Sequence, residues 1–265
     1  MTGVSSADRE RSLLRADLKL AVRSDRQAFG NLTSHYFDFS AESLFMLGWC
    51  DDEDRTAALD AIFHALWRSM RFIKRLSDFE RALVVQLLTL SESRSRKEET
   101  CSERKMTSLT DESKLLLVAF EMERWNMHTL RLAFRMKTPE IHQRLLEIRA
   151  QLLKINLADL DEPSLHLLER VNLSFDRDLN QRQRKSLIQA VSKSEVAQEF
   201  KAEWMLYRSE MIELRQQMRS TEEERGPFLE KLLGEVSETP MEKPSLTDHL
   251  VNRVNFTRFP RAAKA

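Results

Sequence analysis

The sequence predicts an all-α protein, on three observations. Only five glycines occur in 265 residues, and none lies between Gly48 and Gly226. Chains that make many β-turns need glycine for positive φ, so a gap of that length argues against strands joined by tight turns. Apolar residues recur at steps of three and four through almost every apolar stretch, which is the period of a helix with one buried face. Finally, 42% of residues are hydrophobic and 32% are charged, a balance that suits amphipathic helices around sizeable cores. The pattern divides into three helical modules and a tail.

Residues 1–92 form the first module. Leu13, Leu14, Leu18, Leu20 and Ala21 open it, followed by Phe29, Leu32, Tyr36 and Phe37. A helix over Arg55 to Ile73 places Leu59, Ile62, Phe63, Leu66, Trp67 and Met70 on one face. Asp52 to Asp54 stand before it, where acidic groups favour a helix N-terminus. Phe79 to Leu90 closes the module with Leu83, Leu87 and Leu90. Ser91 to Ser108 is charged and serine-rich with almost nothing to bury, so residues 93–108 read as a flexible linker.

Residues 109–156 form the second module. After Leu109-Thr110-Asp111-Glu112, a helix shows Leu115, Leu116, Val118, Ala119 and Met122 as its apolar face. Thr129 to Leu153 then reads as helix, tight turn and helix. Leu130, Ala133 and Phe134 give the first helix its apolar side, Arg135-Met136-Lys137 forms the turn, and Thr138 caps the next helix with Pro139 at its first position. Ile141, Leu145, Ile148 and Leu152 bury one face of that helix, leaving His142, Arg144 and Arg149 on the other. Two helices joined by a short turn, the second carrying polar and basic groups, are how a helix is delivered into a DNA major groove. On that reading Glu140, His142, Gln143 and Arg144 lie near base edges, and Arg131, Arg135, Lys137 and Arg149 serve the phosphates.

Residues 157–234 form the third module. A helix over Gln181 to Val191 precedes a long one over Glu195 to Met218, whose Phe200, Trp204, Tyr207, Met211 and Leu214 make a stripe suited to packing on the first two modules. Residues 235–265, with three prolines and a basic end, read as a mobile tail.

Charge narrows the function. Forty-two basic and 42 acidic residues cancel, which removes the usual basic excess of a constitutive nucleic-acid binder. From Ser113 to Lys154, however, eight Lys/Arg face four Glu. No apolar run reaches membrane-spanning length and no leader segment follows Met1, so a cytoplasmic protein without a membrane partner is expected. Cys50 and Cys101 fit a reducing compartment. The six histidines show no metal-ligand spacing such as HExxH, no glycine-rich phosphate loop is available, and neither cysteine has a nucleophile's setting. Neither catalysis, cofactor nor metal is expected.

The order of modules resembles the extracytoplasmic-function class of bacterial sigma factors, followed by an anti-sigma-like domain, over roughly residues 12–220. Ser24-Asp25-Arg26-Gln27-Ala28-Phe29-Gly30-Asn31-Leu32 looks like that family's opening helix, and Gly48-Trp49-Cys50-Asp51-Asp52 stands where it has a glycine and acidic turn. Ala57-Ala58-Leu59-Asp60-Ala61-Ile62-Phe63, with Trp67, stands where the family carries its polymerase-binding helix, and Pro139 to Leu145 lies where its recognition helix begins. Phe175-Asp176-Arg177-Asp178-Leu179, with Arg182 and Arg184, resembles the opening of zinc-type anti-sigma domains. The chain departs from the family at several places. Ala57, Asp60 and Ala61 replace an acidic-Gln-Glu pattern, Ala82 replaces an aromatic, Arg131 a small residue and Arg135 the turn glycine; Ala190 to Val196 holds none of the His-Cys-Cys zinc ligands.

The resemblance implies a transcription-initiation regulator. Its first module would bind RNA polymerase core, through surface residues such as Asp60, His64, Arg68 and Arg71. The second would read promoter DNA, and the third would hold both closed until a signal or protein partner releases them. Tethering favours such packing, because a short linker gives an effective concentration on the order of millimolar. The lost polymerase-binding pattern and neutral charge equally suit a sigma-derived helical scaffold that no longer binds DNA, and an all-helical array unrelated to sigma factors stays open as a third reading.

Overall fold

The computed structural model describes residues 6–93, 108–176 and 179–241, and every regular element among them is helical. Helix α1 spans Ser6–Ala21, α2 Arg26–Met46, α3 Asp52–Ser69 and α4 Leu76–Ser93. Helices α5 (Asp111–Leu117), α6 (Met127–Phe134) and α7 (Thr138–Leu152) follow, then α8 (Glu162–Phe175), α9 (Gln181–Val191), α10 (Glu195–Met218) and α11 (Glu222–Glu238). None of the described helices is long and apolar enough to cross a membrane.

Local chemistry sets most of the boundaries. The carboxylates of Asp25, Asp51 and Asp161 and the side-chain oxygens of Asn126, Asn180 and Thr221 accept backbone N–H groups at the starts of α2, α3, α8, α6, α9 and α11. At α7 the cap lies one residue earlier than expected: Lys137 is the N-cap, Thr138 is the first helical residue, and the Glu140 carboxylate accepts from the Lys137 N–H at 2.7 Å. A glutamate three residues into a helix reaches back to the cap in this way. The apolar run after α5 does not stay α-helical, because Val118–Met122 widens into a π-helical turn.

Helix α2 is the axis of the fold. Fifteen of its 21 residues are buried; Gln27, Asn31 and His35 keep a solvent strip on its first half, whereas from Tyr36 to Met46 it is enclosed almost all round and needs neighbours on several sides. Helices α1, α3, α4, α5, α10 and α11 and the π-helical turn all pack on it. At Gly30 a Cβ would meet Leu233 Cδ1 at 3.2 Å, so the missing side chain admits α11 close against α2. One core cluster runs from Leu14 to Met241 and takes in the apolar residues of α1–α7 with Trp204, Tyr207 and Met211 of α10 and Leu232 and Val236 of α11. A second, smaller cluster joins Leu146 of α7 to Leu168, Val171, Leu179, Leu187, Val191, Ala197 and Phe200. Residues of all three expected modules therefore share one interior.

The tail starts later than its composition suggests. Residues 235–238 belong to α11, the Trp67 indole N–H donates to Thr239 O at 3.0 Å, and Met241 is buried. The rest of the expected tail, 242–265, and most of the expected linker, 94–107, lie outside the described residues. Leu13 and Leu20, expected to be apolar face residues of α1, are exposed.

Candidate functional site

Helices α6 and α7, joined by Arg135-Met136-Lys137, form a helical hairpin whose turn depends on Arg135 at φ 55°, ψ 34°. This left-handed conformation ends α6 where a glycine would be at ease. Arg131, Arg135 and Lys137 are exposed and form a basic group around the turn. The turn leans on α4, where burial and then the charge of Arg135 pull the Arg81 guanidinium down to about 10.

Helix α7 differs from the expected recognition helix, because its outer flank is covered. Leu146 is as buried as Ile141 and Leu145, and α8 packs along it. His142 is largely buried, with Nδ1 2.6 Å from Asp176 Oδ2, and Asn172 Nδ2 donates to the His142 carbonyl at 3.0 Å. Arg149, expected at the phosphates, is fully buried and is withdrawn from the DNA-contacting set. It lies four residues after Leu145 and three before Leu152, so helical spacing put it beside the apolar stripe rather than opposite it. Glu140, Gln143 and Gln151 remain exposed, and half-buried Arg144 pairs with Glu147 at 3.3 Å. The open strip thus carries two carboxylates.

The Arg149 guanidinium organises the junction. Its Nη2 donates to Glu121 Oε1 at 2.6 Å, and its Nη1 donates to Asp176 Oδ1 at 2.9 Å and to Asn172 Oδ1. It lies over the Trp204 ring at 5.0 Å, Phe175 at 5.4 Å and Phe120 at 5.6 Å. Arg208 of α10 reaches the other oxygen of Glu121 at 2.9 Å. Two arginines and two carboxylates thereby offset one another where the π-helical turn, α7, α8 and α10 meet. An arginine fork suits this position because it serves several acceptors at once and stacks on aromatic faces. Glu121, Asn172, Asp176 and Arg208 were missed by the sequence argument; a glutamate inside the apolar run Leu115 to Met122 was the available signal.

Of the stripe on α10, Trp204, Tyr207 and Met211 enter the large core and half-buried Leu214 packs against it, whereas Phe200 belongs to the smaller cluster. The surface expected for polymerase is partly covered by α11. Asp60 Oδ2 lies 3.6 Å from Lys231 Nζ and His64 Nε2 lies 2.9 Å from Glu235 Oε2. The His64 hydrogen bond holds the Glu235 carboxyl below its ordinary range. Arg68 and Arg71 stay exposed.

Beneath α1, α2 and the start of α6 lies a cavity of about 650 Å³ with a charged lining. Tyr36 donates to Glu80 Oε1 at 3.0 Å and Arg11 lies 3.3 Å from the same oxygen. Arg215 pairs with Glu123 at 2.6 Å and sits 3.5 Å from Glu42. Burial, then the charge of Glu123, pushes the Glu42 carboxyl up to about 9. Burial also raises Glu80 and lowers His35. Cys50 lies in the turn between α2 and α3, and Cys101 lies outside the described residues.

Comparison with protein-family models, curated proteins and solved structures finds no match.

Proposed function

We propose that the chain is a sigma-factor-like regulator of transcription initiation held closed by its own C-terminal helices. The observation that carries this reading is the seat of α11 on α3, where Lys231 and Glu235 engage Asp60 and His64, two of the four residues offered for polymerase core. Helices α8 and α10 do the same for α7, through Asp176 and Trp204 around Arg149. In the closed state, promoter DNA meets only the basic turn of Arg131, Arg135 and Lys137. A releasing signal or protein partner acts by displacing α11. A few kcal/mol of docking energy is enough to hold the open form at the per cent level.

The second reading, a sigma-derived scaffold that does not bind DNA, draws on a different observation. Glu140 and Glu147 share the open strip of α7 with Gln143 and Arg144, and a carboxylate facing a phosphate is repelled. Co-purification with bacterial RNA polymerase core separates the readings. The regulator reading expects capture of a full-length variant whose α11 is loosened by Leu232→Ala and Val236→Ala, and little capture of the native chain. Capture of neither supports the scaffold.

A further inference from the structure

We propose that Asp60, His64 and Glu235 bind one divalent cation of the zinc class, and that the ion fastens α11 to α3. Each of the three residues offers one ligand atom, and those atoms all lie within 4.8 Å of one another. His64 Nε2 is 2.9 Å from Glu235 Oε2 and 3.8 Å from Asp60 Oδ1. Tetrahedral zinc with ligands at about 2.0–2.2 Å sets them roughly 3.3 Å apart, and the two observed separations bracket that value. Small side-chain adjustments close the set.

Sequence spacing supplies two of the ligands. Asp60 and His64 are four residues apart on α3, on the same helix face. The third comes from α11, 171 residues away along the chain, which is why the spacing of histidines alone gave no sign of it.

A separate observation points to a cation. Asp60 Oδ1 is sealed from solvent and has no hydrogen-bond partner, although buried carboxylate oxygens ordinarily have one. His64 Nε2 lies 3.8 Å from it, beyond hydrogen-bonding distance. Lys231 Nζ sits on the outer side, 3.6 Å from Asp60 Oδ2 and 3.7 Å from Glu235 Oε1. Its ammonium weakens cation affinity but occupies the outer oxygens, leaving the inner ones directed at His64. One imidazole and two carboxylates suit zinc over magnesium or calcium, which prefer sets made wholly of oxygen. Three protein ligands leave the fourth position to water. This inference does not depend on the transcription reading, since α11 docks on α3 under either function.

Calorimetric titration of the chelator-treated full chain with zinc sulfate, repeated by visible absorption with cobalt chloride, tests the site. One ion per chain is expected. His64→Ala and Glu235→Gln are each expected to weaken binding at least about tenfold. Glu235→Gln changes only a half-exposed side chain, so it keeps the fold if His64→Ala does not. Zinc is expected to raise the Tm of the native chain by about 2–5 °C and to leave Glu235→Gln unmoved. Absence of stoichiometric binding would overturn the proposal. So would binding unchanged in both variants, which would assign the ion to other histidines.

Discussion

Arg149 of α7 and Glu121 of the π-helical turn form an ion pair at 2.6 Å with neither side chain more than 1% exposed. Such a pair gains stability only when the remaining hydrogen-bonding capacity is met. Here Asp176, Asn172 and Arg208 meet much of it. Because the pair and its partners together come from four elements (the π-helical turn, α7, α8 with its C-cap, and α10), the pair also fixes how those elements register against one another. Arg149→Ala leaves Glu121 and Asp176 short of a counter-charge and is expected to cost about 3–5 kcal/mol in urea unfolding. Arg149→Lys should recover only part of this, since one ammonium cannot serve Glu121, Asp176 and Asn172 in the same geometry.

Glu42 gives a pH prediction with a definite sign. Its folded carboxyl is raised from 4.5 to about 9, so below about pH 4.5 it is neutral in both folded and unfolded chains. As pH rises from there towards 9, the unfolded chain releases a proton that the folded chain retains, and stability is lost. Glu42→Gln keeps the neutral shape without the titration. Urea midpoints should fall more steeply between pH 6 and 8.5 for the native chain than for the variant. Parallel curves would show that Glu42 is not the group responsible.

Arg135 holds φ 55° at the end of α6. A side chain in this region costs on the order of 1 kcal/mol, which glycine avoids. Arg135→Gly is therefore expected to raise stability by up to about 1 kcal/mol, read from thermal or urea unfolding. A loss would mean that the contact with α4 outweighs the backbone cost.

The basic turn makes a prediction about DNA. Each phosphate neutralised contributes about 0.9 to the slope of log affinity against log salt. Any affinity of the full chain for duplex DNA should lose most of its salt dependence in Arg131→Ala/Arg135→Ala/Lys137→Ala. Arg149 should contribute nothing to that slope in variants that remain folded, because its guanidinium is enclosed by Glu121, Asp176 and Trp204.

The helices were legible in the sequence because their signals are local. Acidic residues marked the start of α3, and steps of three and four marked the apolar faces, as for Leu59, Ile62, Phe63 and Leu66 on that helix. What faces the second flank of a helix is not local. His142 and Arg149 look free while only the stripe of Ile141 and Leu145 is considered, and the α8 residues that cover them lie more than 20 positions away. The same holds for Asp60 and His64, whose partners Lys231 and Glu235 come from α11. Polar residues were assigned to solvent by type, whereas Glu121, Arg149 and Asp176 are buried as a mutually compensating set.

The central claim is that α11 masks a polymerase-binding face on α3, and the affinity of bacterial RNA polymerase core tests it most directly. Leu232 and Val236 are buried in the α11 docking surface, and removing both side chains to Cβ weakens that docking by several kcal/mol. Titration of labelled core with the native chain and with Leu232→Ala/Val236→Ala, both checked for helical content, is expected to show at least about tenfold tighter binding by the variant. Equal affinities, or no binding by either, would contradict the masking account.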